Sequence, residues 1–294
     1  PEGGGGGQES EYRRIVDEYL RSLQQPYRLP EMAPYSKREK LSLLAAREPW
    51  QREVIAQHDQ MRTTLPRMVK DKNAKKVCAI YQDDEFGLEV LRGAEAGLKS
   101  IAMEMTEKTS FKRGATDFSS QVARMKASGC DLVVLGTIIR ETIGTIAESR
   151  KNGFNPVFFG SVAAYTDLIH KLGGKAMDGM YATMSVQNPY TDEASQPIRF
   201  WANKYKTRFN EDPTVFSAYG YTMIDILIQA AQKAGPALTT DSFIKAMDAM
   251  TIPPDIFGAP QLTYTAKQRL GSDLSRLSQI QDGKWKVVSG YVKP

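Results

Sequence analysis

The chain has 294 residues, of which 41% are hydrophobic and 25% are charged, the composition of an ordinary globular protein of about two domains. This composition excludes a fully disordered, collagenous or coiled-coil chain, and the longest apolar run is far shorter than the roughly 18 residues that a membrane span requires. A net charge of +5 and a pI of about 9.0 raise the question of nucleic-acid binding.

The first 58 residues differ from the rest of the chain. Residues 3–7 are all glycine and predict a flexible tether, whereas residues 9–23 carry apolar side chains at steps of three or four, the pattern of an amphipathic helix. Residues 40–47 predict a second helix. Basic and acidic residues balance in this predicted helical extension, so the net positive charge lies in residues 59–294.

From residue 74 onwards, short apolar segments alternate with amphipathic segments. Strands that alternate with helices are typical of βαβ units, and they predict an α/β fold with a parallel sheet flanked by helices on both faces. The predicted strands are 76–82, 102–106, 131–135, 156–160 and 180–185, and the predicted helices are 85–100, 116–127, 140–152 and 166–172.

The pattern changes after residue 185, where helices follow one another and strands come last. Asp282-Gly283 is a strong hairpin signal between the final two strands. We expect both Trp201 and Trp285 to be largely buried. The predicted helices of this part are 192–209, 214–234 and 240–250, and the predicted strands are 262–265, 274–281 and 285–289.

No catalytic or metal-binding motif is found in the sequence. There is no GxSxG, no P-loop, no GxGxxG, no CxxC and no HExxH, so we expect a protein that is not an enzyme and that has no cofactor and no metal. Cys78 and Cys130 lie in apolar strand-like segments and are predicted to be buried thiols. His58 is predicted to be solvated, and His170 to be either a surface residue or a residue of a helix's C-terminal turn.

Two basic segments, 67–76 and 108–113, could mark a nucleic-acid site. Neither has interleaved aromatic side chains or a recognition helix. We therefore interpret both as solvated surfaces and expect no nucleic-acid partner.

The loops that follow the predicted parallel strands are the best candidates for a functional site, because ligands of open α/β sheets bind beyond the carboxyl ends of the strands. These loops provide hydroxyls, one cation and apolar surface, but no nucleophile with a base, which favours binding of a small molecule over its transformation. Their residues are Asp84, Phe86, Thr137, Ile138, Arg140, Ser161, Val162 and Ala163.

Four segments carry a resemblance to a known family: 75–87 (KKVCAIYQDDEFG), 114–134 (GATDFSSQVARMKASGCDLVV), 152–160 (NGFNPVFFG) and 279–288 (QIQDGKWKVV). In this order and spacing they closely resemble type I periplasmic solute-binding proteins of ABC importers, of the branched-chain amino-acid type. The resemblance covers about residues 59–294. It implies two α/β lobes that close over a solute, a membrane permease as partner, and a periplasmic location with the signal peptide not present in this chain.

The resemblance also implies a division into lobes. Residues 59–185 with 272–294 correspond to a nearly complete lobe 2, and residues 186–271 to crossovers and the mostly helical remainder of lobe 1. The first half of lobe 1 has no counterpart, and the extension 1–58 stands in its place. We therefore expect one lobe near complete and the other truncated, with the apolar side chains of 216–228 exposed.

The family's ligand residues carry over only in part. Phe86 matches an aromatic residue that packs over the ligand, and 137–139 matches a segment that carries a second aromatic residue but is aliphatic here. Val162 stands where a glutamate commonly receives the ligand's ammonium group. Arg140 and an apolar lining therefore favour a carboxylate or aromatic acid over an amino acid. The predicted ligand-binding residues are Phe86, Thr137, Ile138, Arg140, Ser161, Val162 and Ala163.

Two alternatives remain open from the sequence. The same fold serves as a ligand-sensing domain of regulators and receptors, for which residues 1–58 would have to supply the signalling or DNA-binding module, although they lack a clear helix-turn-helix. An enzyme on a doubly wound fold is the weaker alternative, because no nucleophile–base pair or cofactor motif is found.

Overall fold

Seven strands form the central sheet of the structure, a computed structural model that describes residues 56–268 and 270–292. Strands β1 to β5 are parallel and lie in the order β2-β1-β3-β4-β5, and β8 and β9 extend the sheet as an antiparallel hairpin. Strands β6 and β7 form a separate antiparallel pair. The strands are β1 (Val77–Gln82), β2 (Glu107–Phe111), β3 (Leu132–Gly136), β4 (Val157–Gly160), β5 (Tyr181–Met184), β6 (Thr251–Ile252), β7 (Leu262–Thr263), β8 (Arg276–Gln281) and β9 (Lys284–Val287).

Helices connect the parallel strands and then follow one another after β5. Short 3₁₀ turns lie at Val162–Ala164 and Gly174–Met177. The predictions for residues 1–55, among them the helices at 9–23 and 40–47, lie outside the described residues. The helices are α1 (Ala56–Lys72), α2 (Glu85–Ser100), α3 (Ser119–Ala127), α4 (Ile139–Lys151), α5 (Asp167–Gly173), α6 (Gln196–Phe209), α7 (Val215–Ala234) and α8 (Thr240–Asp248).

Each face of the sheet is covered by its own helices, as the alternation of strands and helices predicts. Along β1, Val77 and Ala79 belong to the core under α1 and α2, whereas Cys78 and Ile80 belong to the core under α3, α4 and α5. This alternation follows from the period of two along a strand. All four side chains are buried, because both faces of the parallel sheet are covered.

Most predicted elements of this α/β fold are confirmed to within a few residues, but the second strand is displaced. It was expected at 102–106 and lies at Glu107–Phe111. Ala102 has a left-handed φ of 56°, and the amides of 101–103 bond the last carbonyls of α2, so these residues complete the helix end. β2 lies at the sheet edge, and its polar side chains gave it no apolar signal.

The C-terminal hairpin closes the far edge of the sheet. Asp282 and Gly283 have φ values of 52° and 71°, the left-handed pair that the Asp-Gly signal predicts. Trp285 on β9 is buried, as expected, and its indole N–H donates to the Thr166 carbonyl at 2.8 Å. Trp201 is half-buried and packs edge-on against Phe257, with ring centroids 4.9 Å apart.

The two cysteines are buried, but the prediction that they are thiols is wrong. Cys78 and Cys130 form a disulfide with a Cα–Cα distance of 5.9 Å. The reason is topological: β1 pairs with β3, so Cys78 lies beside Val133, and Cys130 comes just before that strand. A separation of 52 residues in the sequence hides this adjacency.

His170 lies in the last turn of α5, which is one of the two predicted placements, but it is buried rather than at the surface. Its Nε2 lies 2.8 Å from the Tyr190 hydroxyl, which in turn accepts the backbone N–H of Trp285 at 2.9 Å. Burial lowers the pKa of the His170 imidazole below its ordinary value of 6.5. His58 is half-buried on α1, with Nδ1 3.3 Å from an Asp59 carboxylate oxygen.

Most of the apolar side chains of 216–228 are exposed, as expected, although Ala218 is buried and Tyr219 and Ile226 are partly buried. Phe216, Met223 and Ile224 on α7 each keep more than half of their surface accessible. α7 is the longest helix in the described part of the chain, with 20 residues. Among the described residues, no helix combines the length and the apolar character that a bilayer span requires.

Candidate ligand-binding site

The predicted ligand residues lie at one edge of the sheet. Strands β1, β3 and β4 are adjacent and parallel, so the loops that follow them emerge side by side at the carboxyl edge. Each loop leads directly into a helix or 3₁₀ turn: α2 after β1, α4 after β3, and Val162–Ala164 after β4. The order of the strands therefore places the three predicted loops next to one another.

The first loop is held by Asp84, the N-cap of α2. Its carboxylate accepts the Gly87 amide at 3.2 Å and Arg113 Nη2 at 2.9 Å, and it also bonds the Gln82 side chain. Burial opposes ionisation of Asp84, but these hydrogen bonds and the Arg113 charge lower its pKa overall. A Cβ at residue 87 would lie 2.0 Å from the Gln82 carbonyl oxygen, so only glycine fits there. Phe86, between cap and glycine, is half-buried against the core under α1 and α2.

The second loop buries its hydroxyl and exposes its cation. Thr137 Oγ1 and Thr142 Oγ1 lie 2.6 Å apart, and both residues are fully buried. Ile138, the N-cap of α4, and Arg140 are both exposed. The guanidinium of Arg140 contacts Glu141 at 3.3 Å, and Glu141 is buried with Oε2 unpaired among the described residues.

The third loop is fixed by Ser161. Its hydroxyl donates to Gln57 Oε1 at 2.7 Å and accepts the Ala163 amide at 3.3 Å. Ser161 is fully buried, whereas Val162 and Ala163 are half-buried. The Ser161 side chain is therefore committed to contacts within the protein.

The first turn of α1 reaches the same edge, which sequence reasoning missed. Glu89 on α2 accepts the amides of Gln57 and His58 at 2.9 and 3.3 Å and so caps α1 from a neighbouring helix. Burial raises the pKa of the Glu89 carboxyl, although the two amides favour its charged form. Gln60 Oε1 accepts the Thr183 hydroxyl of β5 at 3.3 Å. No local motif marks these contacts, because each joins residues at least 31 positions apart.

The seven predicted residues thus divide into two groups. Thr137 and Ser161 are internal anchors with satisfied hydroxyls. The others present accessible surface: aromatic and aliphatic carbon, with one guanidinium. No group of three or more metal-ligating side chains occurs in the residues that the structure describes. The chemistry that such a surface can perform is the recognition of an apolar molecule with an anionic group. The accessible residues are Phe86, Ile138, Arg140, Val162 and Ala163.

Comparison with known proteins finds relatives of the same architecture. The family model described as periplasmic binding protein matches residues 54–284. The "Leu/Ile/Val-binding protein homolog 8" of Brucella abortus is 22% identical over 228 residues, which cover 76% of this chain and 56% of that protein. The chain thus matches little more than half the length of this curated relative.

Two solved structures are similar at the level of the fold. A branched-chain amino acid ABC transporter protein from Thermus thermophilus with bound valine has a TM-score of 0.71 at 16% identity, covering 80% of this chain and 65% of that chain. An ABC transporter solute binding protein from R. palustris in complex with benzoate has a TM-score of 0.67 at 16% identity, covering 81% and 64%. At these identities the likeness shows the fold alone.

The family model covers most of the chain, and the parallel sheet with helices on both faces has the architecture of the solved relatives. Members of this family are extracytoplasmic proteins that bind solutes. The chain belongs to the periplasmic binding protein family, with the type I fold of the Leu/Ile/Val-binding proteins.

Proposed function

We propose that this chain is a non-enzymatic solute-binding component of an ABC importer and that it binds a small apolar monocarboxylate, aliphatic or aromatic. The observation that carries the proposal is the accessible surface of three adjacent loops at the carboxyl edge, which together present the exposed Arg140 and the carbon surface of Phe86, Ile138 and Val162. A guanidinium pairs well with a carboxylate, and the carbon surface suits an apolar body.

The absence of a charge at residue 162 favours an acid over an amino acid. Val162 offers neither charge nor acceptor to an ammonium group, and Ser161 beside it is bonded to Gln57. A zwitterionic ligand would therefore leave its ammonium group unpaired, which costs about 1–3 kcal/mol or more. Relatives described as binding valine and benzoate show that the fold accommodates both kinds of solute.

We further propose that residues 59–185 with 272–294 form lobe 2 and that residues 186–271 form crossovers and part of lobe 1. The sheet supports this division, because β8 and β9 return from the C-terminal region to join β5. The segment 186–271, which contains helices α6 to α8, contributes no strand to that sheet. The proposed partners are the solute and the membrane permease of the importer.

A periplasmic location is supported by the disulfide. A buried Cys78–Cys130 bond is the kind of cross-link that persists in an oxidising compartment and is rare in the cytosol. Together with the extracytoplasmic family, this supports a protein that matures outside the cytoplasm.

Calorimetric titration with benzoate, hexanoate, valine and leucine tests the function. We expect the two carboxylates to bind and Arg140→Gln to weaken them about 10-fold or more, the scale of one charge-assisted hydrogen bond. Arg124→Gln is the matched control, because Arg124 is equally exposed but lies on α3 and pairs with Glu107. Tight binding of valine without benzoate would overturn the ligand class and keep the solute-binding role, whereas failure of all four would contradict binding of either class at this edge.

A further inference from the structure

Exposed lysine side chains gather at the amino edge of the central sheet, opposite the carboxyl edge that holds the candidate ligand site. Helices α1, α2 and α3 and the 3₁₀ turn at Gly174–Met177 each lead into a parallel strand, so their last turns lie at this edge. Each of those turns carries lysine, and two further lysines come directly before β1. We define the amino-edge lysines as six exposed residues: Lys70, Lys75, Lys76, Lys99, Lys126 and Lys175.

The positive charge of the amino-edge lysines is not neutralised by ion pairs. None of the six has an ion-pair partner among the residues that the structure describes. The ammonium groups of Lys76 and Lys126 donate only to backbone carbonyls, at 3.2 and 2.6 Å, which leaves their charge in place. The acidic residues in the turns of this edge are fewer than the lysines: Asp71, Glu104, Asp131 and Asp178.

The amino-edge lysines are spread along the sheet instead of lining one cavity. Lys99 lies at the end of α2, which leads into β2, and Lys175 lies shortly before β5, at the other end of the strand order β2-β1-β3-β4-β5. Four spacings of about 4.8 Å separate these strands, so the positive surface is about 20 Å wide. The helix dipole favours the cations at helix ends but not Lys75 and Lys76, which lie outside the helices. A surface of this width suits an extended anionic partner better than a single small anion.

Exposed aliphatic side chains lie at the same edge. Leu172, in the last turn of α5, is 69% exposed, and Ile101, the C-cap of α2, is 38% exposed. Leu172 stands between Lys171 and Lys175 in the sequence, both of which are exposed. Cations around exposed aliphatic side chains are typical of surfaces that bind a bilayer, because the cations meet the headgroups and the aliphatic side chains enter the boundary with the acyl chains.

We propose that the amino edge binds the surface of a bilayer that contains anionic lipid. The charge of the amino-edge lysines complements such a surface, and Leu172 and Ile101 supply the apolar contact. A nucleic acid fits less well, because it offers these two side chains no acyl layer and no aromatic side chain is among the exposed residues of this edge in the described part of the chain. Since the amino edge is opposite the carboxyl edge, a bound chain presents its ligand loops away from the bilayer.

Co-sedimentation of the full chain with vesicles tests the proposal. We expect binding to phosphatidylcholine vesicles that contain about 30% phosphatidylglycerol, little binding to pure phosphatidylcholine, and an affinity about 10-fold lower when salt rises from about 0.05 to 0.5 M. Lys70→Gln/Lys99→Gln should lower the affinity at least about 5-fold. The matched control is Lys112→Gln/Lys204→Gln, which removes the same charge from exposed lysines that follow β2 at the carboxyl edge and lie on α6. We expect the control to change the affinity less than about 2-fold.

A substitution of the exposed leucine tests the apolar contact. Leu172→Ser should lower the affinity for the anionic vesicles about 3-fold or more, at low and at high salt, because salt does not screen apolar burial. Leu238→Ser is the control, since Leu238 is 54% exposed but lies just before α8, and it should leave the affinity unchanged. Absence of vesicle binding, equal losses in the two lysine pairs, or equal affinities of the two leucine variants would overturn the proposal. Binding to duplex DNA without binding to vesicles would assign the edge to a nucleic acid and would also overturn it.

Discussion

Ser161 donates a 2.7 Å hydrogen bond to Gln57, and this bond joins the loop after β4 to the first turn of α1 across 104 residues. The side chain of Ser161 is thus bonded within the protein, and its contact with ligand stays a prediction. The contact places the start of α1 at the carboxyl edge. Glu89 accepts two backbone amides of the same helix, and Thr183 donates a hydrogen bond to its Gln60 side chain.

Ser161→Ala should lower stability and spare ligand binding. Loss of the bond leaves the side-chain amide oxygen of Gln57 without its donor, so we expect the free energy of unfolding to fall by about 1–2 kcal/mol. Urea unfolding followed by tryptophan fluorescence, to which the buried Trp285 contributes, measures this. Benzoate affinity should stay within about 2-fold, and a larger loss would place the hydroxyl in contact with ligand.

A double-mutant cycle provides the control for that experiment. Gln57→Leu removes the acceptor and puts an apolar side chain of similar size in its place. If the two residues stabilise the fold through their mutual bond, the coupling energy should be about 1 kcal/mol. Fully additive effects would contradict the role of the bond.

Val162→Glu should change the ligand preference. A carboxylate at this half-buried position gives an ammonium group a partner and repels an anionic ligand. We expect leucine affinity to rise and benzoate affinity to fall, each about 10-fold or more, in calorimetric titration. Val162→Gln is the matched control, because it supplies an acceptor without a charge. Equal behaviour of the two variants would show that the charge at residue 162 does not select the ligand.

Removal of the Cys78–Cys130 disulfide should destabilise the protein strongly. The bond closes a loop of 52 residues, for which cross-linking contributes about 2–4 kcal/mol. The Cys78→Ala/Cys130→Ala variant should therefore unfold at lower urea and should not respond to reductant. In dithiothreitol, the urea concentration at the unfolding midpoint of the parent protein should fall to that of the variant. Labelling of both cysteines by iodoacetamide in unreduced, denatured protein would show free thiols and contradict the bond.

The fold could be predicted from the sequence wherever a local signal exists. Alternating apolar strands and amphipathic helices placed β1 and α2 almost to the residue, and Asp282-Gly283 placed the final hairpin. The edge strand β2 was misplaced, because a strand that is paired on one side only can be polar, as Glu107 and Lys108 show. Pairings between distant residues, such as the disulfide, depend on strand order and leave no local trace.

The candidate site was predictable as a region but not in the roles of its residues. The rule that ligands bind beyond the carboxyl ends of strands selected three loops that the structure brings together. The rule could not tell that Thr137 is buried and Arg140 exposed. Thr137 is buried because its hydroxyl bonds that of Thr142 inside the protein, a contact that the sequence does not mark. The contribution of α1 was invisible, since its polar first turn resembles any solvated helix.

Protonation of His170 should make the protein less stable in mild acid. The imidazole is buried beside Tyr190, and burial lowers its folded-state pKa below the 6.5 of the unfolded chain. Between those two pKa values the unfolded state binds more protons, so the free energy of unfolding rises with pH. The contribution of neutral His170 to the free energy of unfolding is complete above about pH 6.5 and is lost as the pH falls through the folded-state pKa. The other charged groups that act on His170 are Asp167, Lys171, Asp178 and Lys284.

His170→Gln tests this origin of the pH dependence. Glutamine can still bond the Tyr190 hydroxyl but does not titrate, so the rise in unfolding free energy with pH below about pH 6.5 should flatten. Urea unfolding at a series of pH values, followed by tryptophan fluorescence, measures the slope. His58→Gln removes the other histidine of the chain and should retain the slope. If His170→Gln keeps the full slope, the titrating group lies elsewhere, because His170 is then not the residue that gains a proton on unfolding.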